Sequence, residues 1–356
     1  MNKVKKDLLI LMDETIKREA SDLHITVGVP PMIRVNGKLE YLSDDVYSVE
    51  DTQNMVMSIM NEEQFNTLKE KGQIDYSYSN TGKGRFRINA YKQRGSYSIA
   101  CRLVNFQIPS LEELHLPGVT REFTKFGKGL VLVTGSSGSG KTTTIASLVD
   151  IINHERNSHI ITLEDPIEYL HRHDKSMVNQ REIGNDTTDY PSGLLAALRQ
   201  DPDIIVIGEI HDVETLSLAL KAAETGHLVI SSMHIVGAVK TIERIIDIFP
   251  PHQQQQARVQ LSTVLRGIIS QQLIPSQDQN GRIPAVEILL SNTAIRNLIR
   301  ENKMDQINGA IQMNGKLGMT TMDAYLIDLL NRGKISKENT LFYSMDQENM
   351  KNKFIW

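Results

Sequence analysis

The chain contains one stretch whose residue types and spacing suit it to binding phosphate. It is Gly135-Ser136-Ser137-Gly138-Ser139-Gly140-Lys141-Thr142, followed by Thr143. The run matches the pattern G-x-x-x-x-G-K-[ST] at every required position. Glycines let the backbone approach phosphate closely, and the amides that open the following helix point at it. Lys141 would contact the outer phosphates of ATP, and the Thr142 hydroxyl would bind Mg²⁺.

The sequence on either side of this loop has the pattern that a phosphate-binding loop needs. The apolar run 130–133 precedes the loop and is typical of a buried parallel strand. Residues 143–149 follow it and favour a helix. The alternative is a chance turn of glycine and serine beside a lysine, and the flanking strand and helix argue against it.

Acidic residues follow two further predicted strands. Glu164 and Asp165 come after the apolar run 160–163, and Glu209 comes after the run 204–208. Open α/β sheets bind ligands at the carboxyl ends of their strands, so these acids are expected near the phosphate loop. One carboxylate would serve the Mg²⁺ shell and another would polarise the attacking water. The alternative is that they cap the next helix.

Histidines and arginines provide the remaining candidates. His234 follows the predicted strand 228–233, where it could contact a γ-phosphate and respond to its loss, and His227 precedes the same strand. A structural role is the alternative for both. Arg85 and Arg87 share one face of a strand, because side chains alternate. They either solubilise an exposed sheet or reach a phosphate across a domain or subunit boundary.

Two regions of different character must position these residues. Residues 1–108 predict an opening helix and then strands and turns, in a small α+β domain. Prolines and a glycine within 109–120 indicate a linker. Residues 121–356 predict a three-layer α/β core with a parallel sheet, and the last third of the chain is expected to be helical. The predicted core elements are the strands Gly129–Thr134, His159–Leu163, Asp203–Gly208 and His227–Ser232 and the helices Gly193–Gln200 and Val213–Glu224.

Composition narrows the class of protein. The 356 residues include 39 Lys+Arg and 43 Asp+Glu, a formal net charge of -4, which argues against nonspecific nucleic-acid binding. The one cysteine, Cys101, excludes an intrachain disulfide framework and a multi-cysteine zinc site, as expected in a reducing cytosol. No apolar run is long enough for a membrane span, and Asp13 and Glu14 interrupt the apolar N-terminal run, so a secretory signal is not expected.

Taken together, these motifs resemble the type II/IV secretion ATPases, and among them the twitching-motility (PilT-type) pilus retraction motors, over nearly the whole chain. The segments that carry the resemblance are 20–24, 28–34, 84–89, 161–168, 208–209 and 225–234. The most specific match is Ala294-Ile295-Arg296-Asn297-Leu298-Ile299-Arg300-Glu301, with Leu317-Gly318-Met319-Thr320-Thr321-Met322-Asp323 after it. Both are typical of the retraction members, and the first would couple hydrolysis to retraction.

The resemblance implies an architecture and a set of partners. It implies a RecA-like core with a helical tail, preceded by a PAS-like N-terminal domain. It also implies a homohexamer that uses ATP and Mg²⁺ in the cytoplasm. The ring would dock on the inner-membrane platform protein of a type IV pilus and act indirectly on pilin, and no nucleic-acid partner is expected.

The resemblance also implies roles for the candidate residues. Glu164 would activate water and Glu209 would lie on the Mg²⁺ side with Thr142, although the two acids could exchange roles. His227 and His234 would sense the γ-phosphate. The expected phosphate contacts from the N-terminal region are Arg85, Arg87 and Arg102.

Three other functions remain as alternatives. An assembly or secretion ATPase of the same superfamily usually carries paired C-x-x-C zinc motifs, which a chain with only Cys101 lacks. A RecA-like nucleic-acid translocase predicts a basic channel. A non-hydrolysing regulator is suggested by His211, where the family generally has arginine, and by Ile235-Val236-Gly237, where Thr and small polar residues are usual.

Overall fold

The chain folds into two compact units, Met1–Phe106 and Gln107–Trp356. The computed structural model describes residues 7–80, 83–104, 107–278 and 281–353. Residues 109–120, which the sequence predicts to be a linker, belong to the second unit. Leu111 and Leu116 are buried there in the core beneath the sheet.

Over its described residues, the first unit is a six-stranded antiparallel sheet with three helices. In the order β3-β2-β1-β6-β5-β4, every neighbouring pair of strands is antiparallel. The elements are α1 Leu8–Lys17, β1 Asp22–Ile25, β2 Met32–Val35, β3 Lys38–Tyr41, α2 Val49–Ser58, α3 Glu62–Lys71, β4 Gln73–Asn80, β5 Gly84–Gln93 and β6 Ser96–Leu103. An α+β arrangement for this region is therefore confirmed.

Local sequence explains the turns and helix starts of this unit. Arg94 and Gly95 join β5 to β6 with φ of 50° and 80°, the left-handed pair that a two-residue hairpin turn requires. The helices α2 and α3, which the sequence analysis did not predict, both begin with a reciprocal capping box, Ser48 with Asp51 and Asn61 with Gln64.

The second unit is built on a seven-stranded sheet in the order β13-β12-β7-β11-β10-β8-β9. Six strands are parallel, and the edge strand β13 is antiparallel to β12. The elements up to β11 are β7 Gly129–Thr134, α4 Lys141–Glu155, β8 His159–Glu164, β9 Met177–Glu182, α5 Tyr190–Ala197, β10 Ile204–Ile207, α6 Val213–Glu224 and β11 Leu228–Met233. The remaining elements are α7 Ala238–Asp247, α8 Gln254–Val264, β12 Leu265–Pro275, β13 Arg282–Leu290, α9 Thr293–Arg300, α10 Ile307–Met313, α11 Met322–Asn331, α12 Lys337–Tyr343 and α13 Gln347–Lys353.

Helices cover both faces of this sheet. Leu130 and Leu132 of β7 pack on one face with residues of α6, α7 and α8, whereas Val131 and Val133 pack on the other face with residues of α4. Because side chains alternate along a strand, such a strand is apolar at every position. The predicted three-layer α/β core is therefore confirmed.

The expectation that the last third of the chain is helical is wrong for residues 265–275 and 282–290. They form β12 and β13, which pair over nine residues. β12 also runs parallel to β7, so it lies inside the sheet. The sequence pattern alone does not separate a short buried strand from a buried helix, so pairing with a distant strand decides the outcome here.

Within the described residues, no helix is both long and apolar enough to cross a bilayer.

Gly267 marks a close approach in this sheet, next to an irregularity in the pairing of β12 with β7. A Cβ here would lie 2.4 Å from the Leu289 carbonyl oxygen and 2.5 Å from Phe123 Cε1. We expect Gly267→Ala to lower the free energy of unfolding by about 1–3 kcal/mol, because the core cannot accept the methyl group without shifting.

Gly309→Ala is the matched control, because no atom lies within 4 Å of the added Cβ. Gly309 lies in α10, where alanine is expected to stabilise the helix by up to about 1 kcal/mol. Thermal unfolding of both variants provides the measurement. Equal melting temperatures for the two variants would contradict this account of β12.

Candidate active site

Four adjacent strands of the second unit deliver their candidate residues to one edge of the sheet. β7, β11, β10 and β8 lie side by side in that order and run parallel. The phosphate loop follows β7, His234 follows β11, Glu209 follows β10 and Glu164 ends β8. Together with Asp165 they line a cavity of about 530 Å³.

The phosphate loop connects β7 directly to α4. Gly140 precedes the helix with φ of 87°, and no side chain caps the first turn of α4. The first amides of a helix without a side-chain cap remain available to an anion. The loop and first-turn residues that line the cavity are Ser137, Gly138, Gly140, Lys141, Thr142 and Thr143. Gly135 and Ser139 are buried behind them.

Gln271 of β12 supports this loop from behind. Its side chain is 2% exposed, donates from Nε2 to the Ser139 carbonyl at 2.5 Å and accepts at Oε1 from Thr144 Oγ1 at 2.9 Å. A Cβ on Gly135 would lie 2.2 Å from the Gln271 carbonyl oxygen. The loop therefore packs against β12 so closely that only glycine fits at residue 135. Gln271 was not among the predicted site residues, although the polar residues 270–272 between apolar neighbours were a usable signal.

Lys141 lines the cavity and is 7% exposed. Its Nζ donates to the carbonyl oxygens of Gly135 at 3.1 Å and Ser136 at 2.9 Å, and lies 3.3 Å from His234 Nδ1. Burial lowers the pKa of this amine, and the nearby Glu209 carboxylate opposes the change. Two of these hydrogen-bond partners are uncharged carbonyl oxygens, and the third is a ring nitrogen. The buried Lys141 ammonium group therefore faces a cavity that is suited to an anion.

Glu209 and His234 form a hydrogen-bonded pair beside Lys141. Glu209 Oε2 lies 3.1 Å from His234 Nε2. The two side chains remain 32% and 44% exposed, respectively, so both can move and can meet a ligand. His234 thus contacts Lys141 through one ring nitrogen and Glu209 through the other.

Glu164 is held more tightly than Glu209. Its Oε1 accepts from Thr162 Oγ1 at 2.5 Å and from Gln180 Nε2 at 3.0 Å. Burial raises the pKa of the Glu164 carboxyl, and these two hydrogen bonds oppose the rise. A fixed carboxyl with an elevated pKa is suited to proton transfer near neutral pH. Asp165, next to it, is exposed and lines the same cavity.

The cavity also has oxygen ligands suited to Mg²⁺. The exposed Thr142 hydroxyl and the Glu209 carboxylate both line it. Within the described part of the chain, no cluster of three or more His, Cys, Asp or Glu side chains could hold a metal ion. Mg²⁺ commonly binds through one or two protein oxygens together with substrate phosphates, so this donor set fits it.

His227 does not join the other candidates within this chain. It precedes β11, whose six residues separate it from His234 by roughly 20 Å at ~3.3 Å per residue. Its Nδ1 lies 3.0 Å from the Ala222 carbonyl oxygen, at the end of α6. Of the two candidate histidines, His234 lines the cavity of this chain and His227 does not, and a contact of His227 with a γ-phosphate remains a prediction.

The three candidate arginines belong to the first unit. Along β5, Phe86 and Ile88 are buried, so Arg85 and Arg87 share the opposite face. Arg102 of β6 is directly across from Arg87 and donates from Nε to Asp22 Oδ1 at 2.9 Å. Their contact with phosphate remains a prediction.

We expect Gln271→Leu to weaken ATP binding about tenfold, because the Ser139 carbonyl and the Thr144 hydroxyl lose a buried partner and the loop loses its support. Titration with Mg·ATP measures the change. Gln272→Leu is the matched control. Gln272 is the next residue of β12, and its side chain donates to the Tyr343 carbonyl and not to the phosphate loop. Unchanged affinity in Gln271→Leu, with a normal melting temperature, would contradict a supporting role.

Similarity to known proteins agrees with this geometry. The family described as "Type II/IV secretion system protein" matches residues 2–325. The "Type IV pilus retractation ATPase PilT" of Pseudomonas aeruginosa is 43% identical over 333 residues, which cover 94% of this chain and 96% of that protein. The "Twitching motility protein" of Neisseria gonorrhoeae is 42% identical over 343 residues, which cover 96% of this chain and 91% of that protein.

A solved structure is similar over the same length. The "Crystal Structure of the Pilus Retraction Motor PilT and Bound ADP" superposes with a TM-score of 0.86 and 46% identity, covering 97% of this chain and 99% of that one. Because the superposition covers 97% of this chain, the structural similarity includes both units and the phosphate loop. The chain therefore belongs to the type II/IV secretion system protein family.

Proposed function

We propose that this protein is a Mg²⁺-dependent ATPase that powers the retraction of a type IV pilus. The observation that carries the proposal is the meeting of the phosphate loop, His234, Glu209 and Glu164 at four adjacent strand ends around one cavity. Relatives named for pilus retraction and twitching motility, similar over more than 90% of both chains, support the pilus as the object of the work.

The phosphate loop binds the nucleotide in this proposal. The β- and γ-phosphates of ATP lie against the loop amides, and Lys141 moves from the carbonyl oxygens of Gly135 and Ser136 to the outer phosphates. Thr142 and Glu209 would hold Mg²⁺, which would neutralise charge on the phosphates. The low exposure of Lys141 strengthens its attraction to phosphate, because water screens the pair poorly.

Glu164 orients and deprotonates the attacking water. The hydrogen bonds from Thr162 and Gln180 fix one carboxyl oxygen, and the side chain lines the cavity in which the water would lie. His234 contacts both Lys141 and Glu209, so loss of the γ-phosphate changes the position of its ring. That displacement starts the conformational step of the motor.

Mechanical work is done by a ring of six chains. Arg85, Arg87 and Arg102 reach the phosphates of ATP, so that hydrolysis removes these contacts and changes the conformation of the ring. Around a closed ring these changes form a cycle. The ring works at the cytoplasmic face of the inner membrane, docked on the platform protein of the pilus, and thereby extracts pilin subunits.

Hydrolysis is expected to depend on pH through Glu164. A base must be ionised to accept a proton, and burial raises the pKa of this carboxyl. The kcat should therefore rise with pH through a pKa above the ordinary range of glutamate. Glu164→Gln should remove this rise and lower kcat by about a hundredfold or more. Steady-state kcat measured across pH tests both expectations.

Glu168→Gln is the control for this experiment. The Glu168 carboxylate also raises the pKa of Glu164, so its removal should move the rise in kcat to lower pH without abolishing it. If kcat of the wild type and of Glu164→Gln shared one pH profile, Glu164 would not be the base.

The proposed function as a whole is tested by the ATPase rate of the purified protein with Mg²⁺ over a series of protein concentrations. We expect a specific activity that rises cooperatively with concentration, as hexamers form, and that vanishes in Lys141→Ala or when Mg²⁺ is chelated. ATP binding without turnover would favour the non-hydrolysing regulator. Stimulation by single-stranded DNA would favour the nucleic-acid translocase.

A cellular measurement separates retraction from assembly. Cells that lack a retraction motor keep surface pili but cannot shorten them, whereas cells that lack an assembly motor have none. We expect cells without this protein, or with Lys141→Ala in its place, to bear pili that do not retract. Loss of the pili themselves would contradict the proposal.

A further inference from the structure

Glu287 is a buried carboxylate to which none of the roles above applies. It lies in the middle of β13, is 4% exposed and faces Ser270 of β12 in the strand register. Oε1 accepts from the Ala238 amide, and Oε2 accepts from the Met322 amide at 3.2 Å. Burial of a carboxylate is unfavourable unless hydrogen bonds compensate it, so these two amides account for its presence in the core.

The two amides belong to the first residues of two different helices. Ala238 opens α7 and Met322 opens α11. The residue before α7, Gly237, offers no side-chain cap, so α7 depends on Glu287 for an acceptor at its start. A negative charge is also favourable at a helix N-terminus, and here one carboxylate serves two of them. A shift of either helix start therefore alters the position of the other.

α7 begins close to the nucleotide cavity. Only residues 235–237 separate His234 from Ala238 along the chain. Gly237 donates to Ser270 Oγ at 2.7 Å, beside the Glu287 carboxylate. His234 in turn contacts Lys141 and Glu209, so a displacement of His234 has a short path along the chain to the start of α7.

α11 carries the connection towards the C-terminal helices. Asp323, its second residue, accepts from the amides of Met345 at 2.6 Å and Asp346 at 3.1 Å. Those residues lead into α13. Val236, from the segment after His234, packs in the same apolar cluster as Met322 and Leu326 of α11. The segment after His234 and the start of α11 are therefore in contact through both polar and apolar groups.

We propose that Glu287 is a positioning residue that transmits displacement of the segment after His234, through the first turn of α7, to α11 and the C-terminal helices. The proposal rests on the proposed function, since it needs a nucleotide to move His234. It gives the hairpin of β12 and β13 two separate roles, because Gln271 supports the phosphate loop while Glu287 reports the state of the site to the end of the chain.

The test compares amide hydrogen exchange of α11 in the wild type and in Glu287→Gln, each with Mg·ADP and with the β,γ-imido analogue of Mg·ATP. In the wild type we expect exchange at Met322 and the next turn to differ between the two nucleotides by about tenfold or more. Glutamine has nearly the same shape, but its NH₂ group faces one of the two amides and breaks one bond. The nucleotide-dependent difference should then fall to less than about twofold.

This measurement distinguishes transmission from simple stability. A purely structural role would raise α11 exchange equally with both nucleotides and preserve the ratio between them, and that result would overturn the proposal. No difference between nucleotides in the wild type would overturn it as well. Glu287→Asp keeps the charge on a shorter side chain that cannot reach both amides. It should lose the difference too, and it serves as the test if the glutamine variant fails to fold.

Glu182→Gln is the matched control. Glu182 is another buried glutamate of the same sheet, 3% exposed on β9, and accepts from the Ile167 amide at 3.1 Å. Its hydrogen bonds to Ile167 and Asn185 do not involve α7 or α11, so the α11 response should persist in this variant. Loss of the response in both glutamine variants would contradict a specific role of Glu287.

ATPase assays on the same samples separate the two proposals. If the wild type binds both nucleotides and shows the exchange difference but never hydrolyses ATP, the proposed hydrolysis is wrong and the Glu287 connection stands. If the wild type hydrolyses ATP and Glu287→Gln keeps the full exchange difference, the connection is wrong and the ATPase stands.

Discussion

The arrangement of the active site depends on the burial of the central strands of a parallel sheet. All residues of β7, β10 and β11 are buried. A strand that is covered on both faces has little room for polar side chains, so reactive groups must lie beyond its ends. Since parallel strands place their carboxyl ends at one edge, groups from four separate segments meet there.

The hairpin of β12 and β13 departs from this rule. It carries the buried polar side chains of Gln271, Ser270 and Glu287, and each of them binds the backbone at the start of a helix or of a loop. A polar group inside a protein must find a hydrogen-bond partner, and these three find theirs at the phosphate loop and at the start of α7. The hairpin thus positions both the phosphate loop and the segment after His234.

Lys141, His234 and Glu209 form a continuous series of contacts across the cavity. Lys141 is close enough to exchange its carbonyl partners for phosphate oxygens, and His234 would then lose or gain a neighbour. Because Glu164 is fixed by Thr162 and Gln180 instead, it stands apart from these contacts. Glu164 can therefore remain in place while Glu209 changes its contacts with the state of the nucleotide.

The sequence by itself determined the phosphate loop, the strands on which the site is built and most of the groups at their ends. These are local patterns: a fixed glycine and lysine spacing, and short apolar runs that end in a polar residue. It did not determine β12 and β13, whose strand character comes from pairing with residues far away in the chain. Nor did it identify Gln271, since its partner Ser139 is 132 positions away. Such contacts exist only once the chain has folded, because hydrogen bonding and burial depend on which segments become neighbours in space.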